Sequence, residues 1–185
     1  AAEINRLRRE VLAQLSAARG RIVPCEVGTY AAPQSFTGSR GTPVLTVSVL
    51  RTEQITPKLL KAKPAVLYVP LSEITAQPEF YRRLASRFTV AAILPRVIWG
   101  GETNGVLAAL DGAARLGVTR VLTGNLGQVS LVRSKNLEVA GDFGLNVFNS
   151  RTMTTLRQLG LTTVTASFEA MLPQLRDLSK PLPTE

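Results

Sequence analysis

Apolar residues at Ile4, Leu7, Val11 and Leu15 recur every three or four positions, while Arg6, Arg9 and Gln14 lie away from them. This spacing predicts a helix over 3–18 that stops at Gly20. The next stretch, 20–43, carries glycine, proline, serine and threonine without an apolar period and reads as a linker or mobile loop. From Pro43 onward the pattern changes. Apolar runs of strand length at 44–50, 65–69, 89–94, 120–123, 137–148 and 162–166 alternate with segments whose apolar residues keep a helical spacing. The third run extends towards Val97, Ile98 and Trp99, and the fifth is broken or bulged at Gly141-Asp142. Between the runs, Thr52 is placed to cap a helix carrying Ile55, Leu59 and Leu60, and a second helix holds Phe80, Tyr81 and Leu84. A third, over 104–116, buries Val106, Leu107 and Leu110 and ends at Gly117. Asn149-Ser150 begins a helix running through Leu156 and Leu159 to Gly160, and a last helix holds Met171, Leu172 and Leu175.

Alternation of this kind means right-handed βαβ units and a parallel sheet. A faint repeat supports it: the run from Arg115 to Val121 resembles the run from Gln158 to Val164, two βα units later. In each copy a helix stops at glycine, an apolar residue follows, and a strand begins. Gly124-Asn125-Leu126-Gly127 is not the dinucleotide fingerprint, and no P-loop lysine follows a glycine run. Evenly spaced units with polar residues at the strand ends fit a barrel better than a Rossmann sheet. A complete barrel takes about 250 residues and eight strands, and six strands can be counted here. The expected architecture is therefore α/β: an incomplete (βα) TIM-barrel-like domain with about six parallel strands over 44–185. A helix over 1–19 and a flexible linker over 20–43 precede it. Six parallel strands of ordinary radius cannot close into a barrel, so the sheet edges must be covered, twisted away or paired. Self-association through these open edges is expected.

Composition narrows the chemistry. An apolar share of 45% and a charged share of 19% over 185 residues support a buried core. The apolar runs are interrupted by Arg, Thr or Pro short of a bilayer's thickness, so no membrane partner is expected. There is no histidine, which removes Ser-His-Asp and Cys-His catalysis and imidazole-bound zinc. One cysteine, Cys25, cannot form an internal disulfide, a zinc knuckle or an iron–sulfur site. Lying in the linker with no base to activate it, Cys25 reads as a free thiol rather than a nucleophile. Carboxylate, amide, hydroxyl and arginine chemistry remain, or binding without chemistry. Lys and Arg outnumber Asp and Glu by 22 to 13, a formal charge of +9, which favours an anionic partner such as RNA. The arginines are scattered rather than clustered, however, which is the pattern of solvated helix faces. An aromatic share of 5% gives little support to a base-stacking platform.

Ligands of parallel α/β sheets bind at the carboxyl ends of the strands, and polar residues gather there. Glu169, after the sixth strand, is the candidate catalytic residue, as a general base or a cation ligand. Its other reading is a carboxylate at a helix N-terminus, completing a cap with Ser167. Candidate substrate contacts are Asn125, Asp142, Asn146, Asn149 and Ser167. Asn146 alternates with Val147, so it either points into the barrel or satisfies a neighbouring backbone. Asp142 fits a turn, Asn149 an N-cap, and Asn125 a strand-to-helix turn that exposes backbone N–H groups. Arg96 and Arg133, near strand or helix ends, are candidate phosphate contacts with no special geometry behind them. No metal-ligand set is present.

The most specific local pattern runs Gly141-Asp142-Phe143-Gly144-Leu145-Asn146-Val147-Phe148-Asn149-Ser150, then Leu159-Gly160, then Thr165-Ala166-Ser167-Phe168-Glu169. It resembles the U-32 peptidase family of collagenase-like bacterial proteins, which carry a G-D-[FY]-x-L-N-[VI]-[FY]-N segment and a following S-x-E. Gly124-Asn125-Leu126-Gly127 and Asn5-Arg6-Leu7-Arg8-Arg9-Glu10 also resemble segments of long members. The resemblance covers all but the linker. It implies a bacterial, cytoplasmic protein that either hydrolyses peptides or takes part in hydroxylating RNA bases in rRNA or tRNA. A third class is a non-catalytic scaffold barrel. Two features depart from the family: its cysteine cluster, able to hold a metal or iron–sulfur centre, is missing, and no G-R-x-P-x-M-type strand follows. The resemblance is therefore to the C-terminal barrel region of a long member, cut before its last strands. Such a piece is expected to be inactive alone, to hold no cofactor, and to have the remainder of the parent chain as a partner. RNA or a peptide would be the substrate.

Overall fold

A computed structural model describes residues 2–21, 28 and 42–178. Cys25, nearly all of the expected linker and the last seven residues lie outside the described residues. The chain divides into two units, Ala1–Ala32 and Pro33–Glu185. The first holds the helix α1 (Ala2–Arg19), whose apolar positions are all exposed. Its charged flank is laced by Arg6, which pairs with Glu3 at 2.6 Å and Glu10 at 2.8 Å.

The second unit is a curled half-barrel sheet of six parallel strands backed by helices. The strands are β1 (Thr46–Ser48), β2 (Val66–Pro70), β3 (Val90–Ile93), β4 (Arg120–Thr123), β5 (Glu138–Gly141) and β6 (Leu161–Val164). Their order in space repeats their order in sequence, and each neighbouring pair is parallel. A doubly wound sheet would reverse direction at a switch point. Here every crossover advances one strand the same way, as in a barrel wall. The connecting helices are α2 (Pro57–Lys61), α3 (Leu71–Ala76), α4 (Pro78–Ala85), α5 (Thr103–Arg115), α6 (Val129–Arg133) and α7 (Ser150–Gln158), with α8 (Leu172–Leu178) after β6. No helix among the described residues is long and apolar enough to cross a membrane.

Side-chain alternation assigns the two sheet faces. Leu67, Val69, Val90, Ala92, Val121, Val139 and Leu161 join one core with Ile74, Tyr81, Leu84, Leu110, Ala113, Val132 and Leu156 from the helices. The intervening strand positions lie outside that core and form the concave face. One row of it, read along the strand register, is Ser48, Tyr68, Ala91, Arg120 and Glu138. Gly117 and Gly160, the two glycines of the repeat, have φ of 98° and 94°, a left-handed conformation that glycine adopts without steric cost. They turn α5 into β4 and α7 into β6.

Several boundaries differ from the sequence expectations. Thr52 does not cap the first barrel helix. It sits buried in a 3-10 turn, where its backbone N–H and hydroxyl both donate to the Glu73 carboxylate, at 2.8 and 2.7 Å. The hydroxyl hydrogen being used there, the buried Tyr81 hydroxyl donates to Thr52 Oγ at 2.8 Å. Thr56, just before Pro57, caps α2 instead. The expected second helix is two, α3 and α4, separated at Gln77-Pro78 because the residue before proline disfavours the helical region. β3 ends at Ile93, and Val97 and Trp99 stand exposed beyond it. β5 ends at Gly141 rather than 148. A 3-10 turn (Phe143–Leu145) follows, and only a bridge from Val147 to Ala166 resumes the pairing. The strand is therefore broken at Gly141-Asp142 rather than bulged, and the bulge lies on β6: Val139 faces Leu161 while Ala140 faces Thr163, which leaves Thr162 as the extra residue. Met171 precedes α8 and is exposed.

Candidate ligand-binding rim

The carboxyl ends of β3 to β5 are strapped together by polar side chains. Thr123, the buried last residue of β4, hydrogen-bonds to Gln128, whose Nε2 donates to the Pro95 carbonyl at 2.8 Å. Asn125 Oδ1 accepts from Gly127 N at 2.9 Å, and its Nδ2 donates to the Arg96 carbonyl at 3.2 Å. Both ends of the Asn125 amide are thus engaged, and with Gln128 it ties the exit of β3 to that of β4. The exits of β4 and β5 approach more closely still. A Cβ on Gly144 would lie 2.9 Å from the Gly124 carbonyl oxygen, so glycine is the residue this contact accepts. Asp142 joins the same pair: its N–H donates to Thr123 O and its Oδ1 accepts from Phe143 N, each at 2.8 Å.

This strapping brings aromatic groups together from two loops. Phe143 and Phe168 stack with ring centroids 4.9 Å apart and planes 19° apart. The Arg96 guanidinium lies over the Phe143 ring, 4.9 Å from its centroid. Phe143 thus contacts both groups, Phe168 by an offset stack and Arg96 by a cation–π contact. Phe168 remains 77% exposed and presents ring surface to solvent. Trp99 is also exposed on the loop after β3.

The other candidates divide. Ser167 is buried and makes a turn: its Oγ accepts from Glu169 N at 3.3 Å and its carbonyl from Ala170 N at 3.1 Å. Glu169 is exposed in that turn, three residues ahead of α8, so it is not a carboxylate of that helix's first turn. Asn146, expected to alternate into the barrel, is in the left-handed region at φ 48°, ψ 55°, exposed at the end of the 3-10 turn. The strand has already ended there, so no strand alternation sets its direction. Asn149 caps α7, its Oδ1 accepting from Thr152 N at 2.9 Å. Arg133 donates to the Leu159 carbonyl at 3.1 Å and lies against Gly160, at the end of α7.

A second polar group lies on the concave face and was not singled out from sequence. Arg120 and Glu138, register partners on β4 and β5, form a two-point ion pair at 2.8 and 2.7 Å. Arg120 holds the Glu138 carboxyl below its ordinary range against the opposing effect of burial. Glu138 in turn raises Arg120, and the half-buried Tyr68 hydroxyl adds to that. The available signal was that both strands open on a charge in the concave phase, which parallel pairing sets side by side.

A cysteine-held metal or iron–sulfur centre does not fit the residues present. Cys25 is the only cysteine, and among the described residues no three His, Cys, Asp or Glu side chains form a group able to hold a metal ion. No protein-family model, curated protein or solved structure matches the chain.

Proposed function

We propose that this chain supplies the ligand-binding barrel face of a U-32-type protein that acts on RNA, and that it is not a complete catalyst alone. The observation that carries this reading is the Arg96–Phe143–Phe168 stack at the carboxyl ends of the strands. Every nucleobase has a π-face, and stacking on an aromatic side chain contributes about 1–3 kcal/mol per base. Phe168 offers such a surface already oriented by Phe143, so little ordering remains to oppose binding. The excess of basic residues adds phosphate attraction that falls with salt.

Titrating a fluorescein-labelled single-stranded RNA across a salt series, read by anisotropy, tests the proposal. Phe168→Ala should weaken binding roughly 5- to 150-fold at fixed salt. Binding that ignores both salt and Phe168 would sink it. The peptidase reading of the same family rests on Glu169, an exposed rim carboxylate whose oxygens have no partner among the described residues. Gelatin incubated with the chain, with Glu169→Gln as control, decides that reading: cleavage no faster than the control rejects it.

A further inference from the structure

Within its own unit, helix α1 carries a short heptad pattern. With Ile4 and Val11 at the first heptad position, the fourth position holds Leu7 and Gln14, and Ile4, Leu7 and Val11 are all exposed. Glu3 and Glu10 immediately precede the two first-position residues, and Arg8 follows Leu7. Glu3 and Glu10 are held on one flank of the stripe by Arg6, whereas Arg8, on the other flank, makes no ion pair among the described residues.

We infer that α1 is a self-association element that pairs in parallel with α1 of a second copy of this chain. β-branched residues at both first positions, with leucine at one of the two fourth positions, favour a two-stranded coiled coil. The flanking charges choose the direction. In a parallel pair, the residue before a first position faces the residue five places later on the other helix, which sets Glu3 against Arg8 of the second copy, twice by symmetry. An antiparallel pair would set Glu3 against Glu10 and cost repulsion. Gln14 penalises a shifted register, since slipping it against a leucine buries an amide without a partner. An isolated helix this short is marginal in water, so pairing also stabilises the helix itself.

The test is sedimentation velocity of the whole chain in reducing buffer, at concentrations rising to about 1 mM, where weak association becomes visible. The unaltered chain dimerises. Glu3→Arg alone and Arg8→Glu alone each weaken the dimer by about tenfold, as two attractive contacts turn repulsive. An equal mixture of the two variants restores it, since each then supplies the other's missing sign. Both substitutions lie on an exposed helix face, and far-UV circular dichroism confirms that the fold is retained. Three outcomes overturn the inference: a chain monomeric throughout, a dimer indifferent to both reversals, or a dimer strengthened by Glu3→Arg, the signature of antiparallel pairing.

Discussion

Removing Glu138 should expose what holds the concave face in register. In Glu138→Ala the Arg120 guanidinium keeps its place on the sheet but loses both carboxylate contacts, with the Tyr68 hydroxyl left beside it. The side chains of the pair are 22% and 32% exposed. Exposed pairs contribute about 0–1 kcal/mol, and breaking a fully buried one costs about 3–5 kcal/mol. A half-buried, two-point pair belongs between these, at about 2 kcal/mol. For a domain of this size that is a fall in melting temperature of about 4–8 °C. Urea unfolding at pH 7 measures it directly. The double variant Arg120→Met, Glu138→Leu should recover most of the loss, because no uncompensated charge remains. Acid supplies an independent check. The folded-state pKa of Glu138 is lowered by Arg120, so the pair's contribution is complete above the unfolded carboxyl value of about 4.3. It is lost as pH falls through the lower folded value. The gap between wild type and Glu138→Ala should therefore be widest at neutral pH and close in strong acid. A loss under about 0.5 kcal/mol, or a gap unchanged between neutral pH and strong acid, refutes the reasoning.

Two further substitutions probe the scaffold. Tyr81→Phe keeps the buried ring and removes its hydrogen bond to Thr52, which should cost about 1 kcal/mol in urea unfolding. Gly144→Ala drives a methyl group to 2.9 Å from the Gly124 carbonyl oxygen and should cost about 1–3 kcal/mol. Gly124→Ala meets its nearest atom at 3.4 Å and should cost less than half as much, and equal losses would show that the two loops do not meet as described.

The sheet was legible because each strand is a short apolar run bounded by helical spacing, and the repeated glycines at 117 and 160 marked two of the turns. What misled was apolar residues doing other work. Leu145 and Val147 continue the apolar run of β5 in sequence, but they pack against the core from a turn and a lone bridge. Thr52 looked like a cap because it precedes a helix, yet Thr56-Pro57 was the stronger start signal. Asn125, Asp142 and Ser167 lie just beyond strand ends and Asn149 caps α7, and their turn and capping geometry was readable from residue type. The rim stack was not. Arg96, Phe143 and Phe168 are far apart in sequence, and a low aromatic share says nothing about where the few aromatics converge.

Because spatial strand order copies sequence order, the sheet behaves as a linear array in which each strand leans on its sequence neighbours alone. Among the described strands, β2 to β5 have two such neighbours, and β1 and β6 have one. Fraying therefore begins at the ends and works inward. The Arg96–Phe143–Phe168 stack spans the weaker half of that array, since Phe168 lies just beyond β6. During synthesis its members emerge in the order Arg96, Phe143, Phe168, so the platform cannot form before β6 has emerged. On heating it is among the first to go, and the exposed ring of Phe168 loses its orientation while β2 to β4 are still paired.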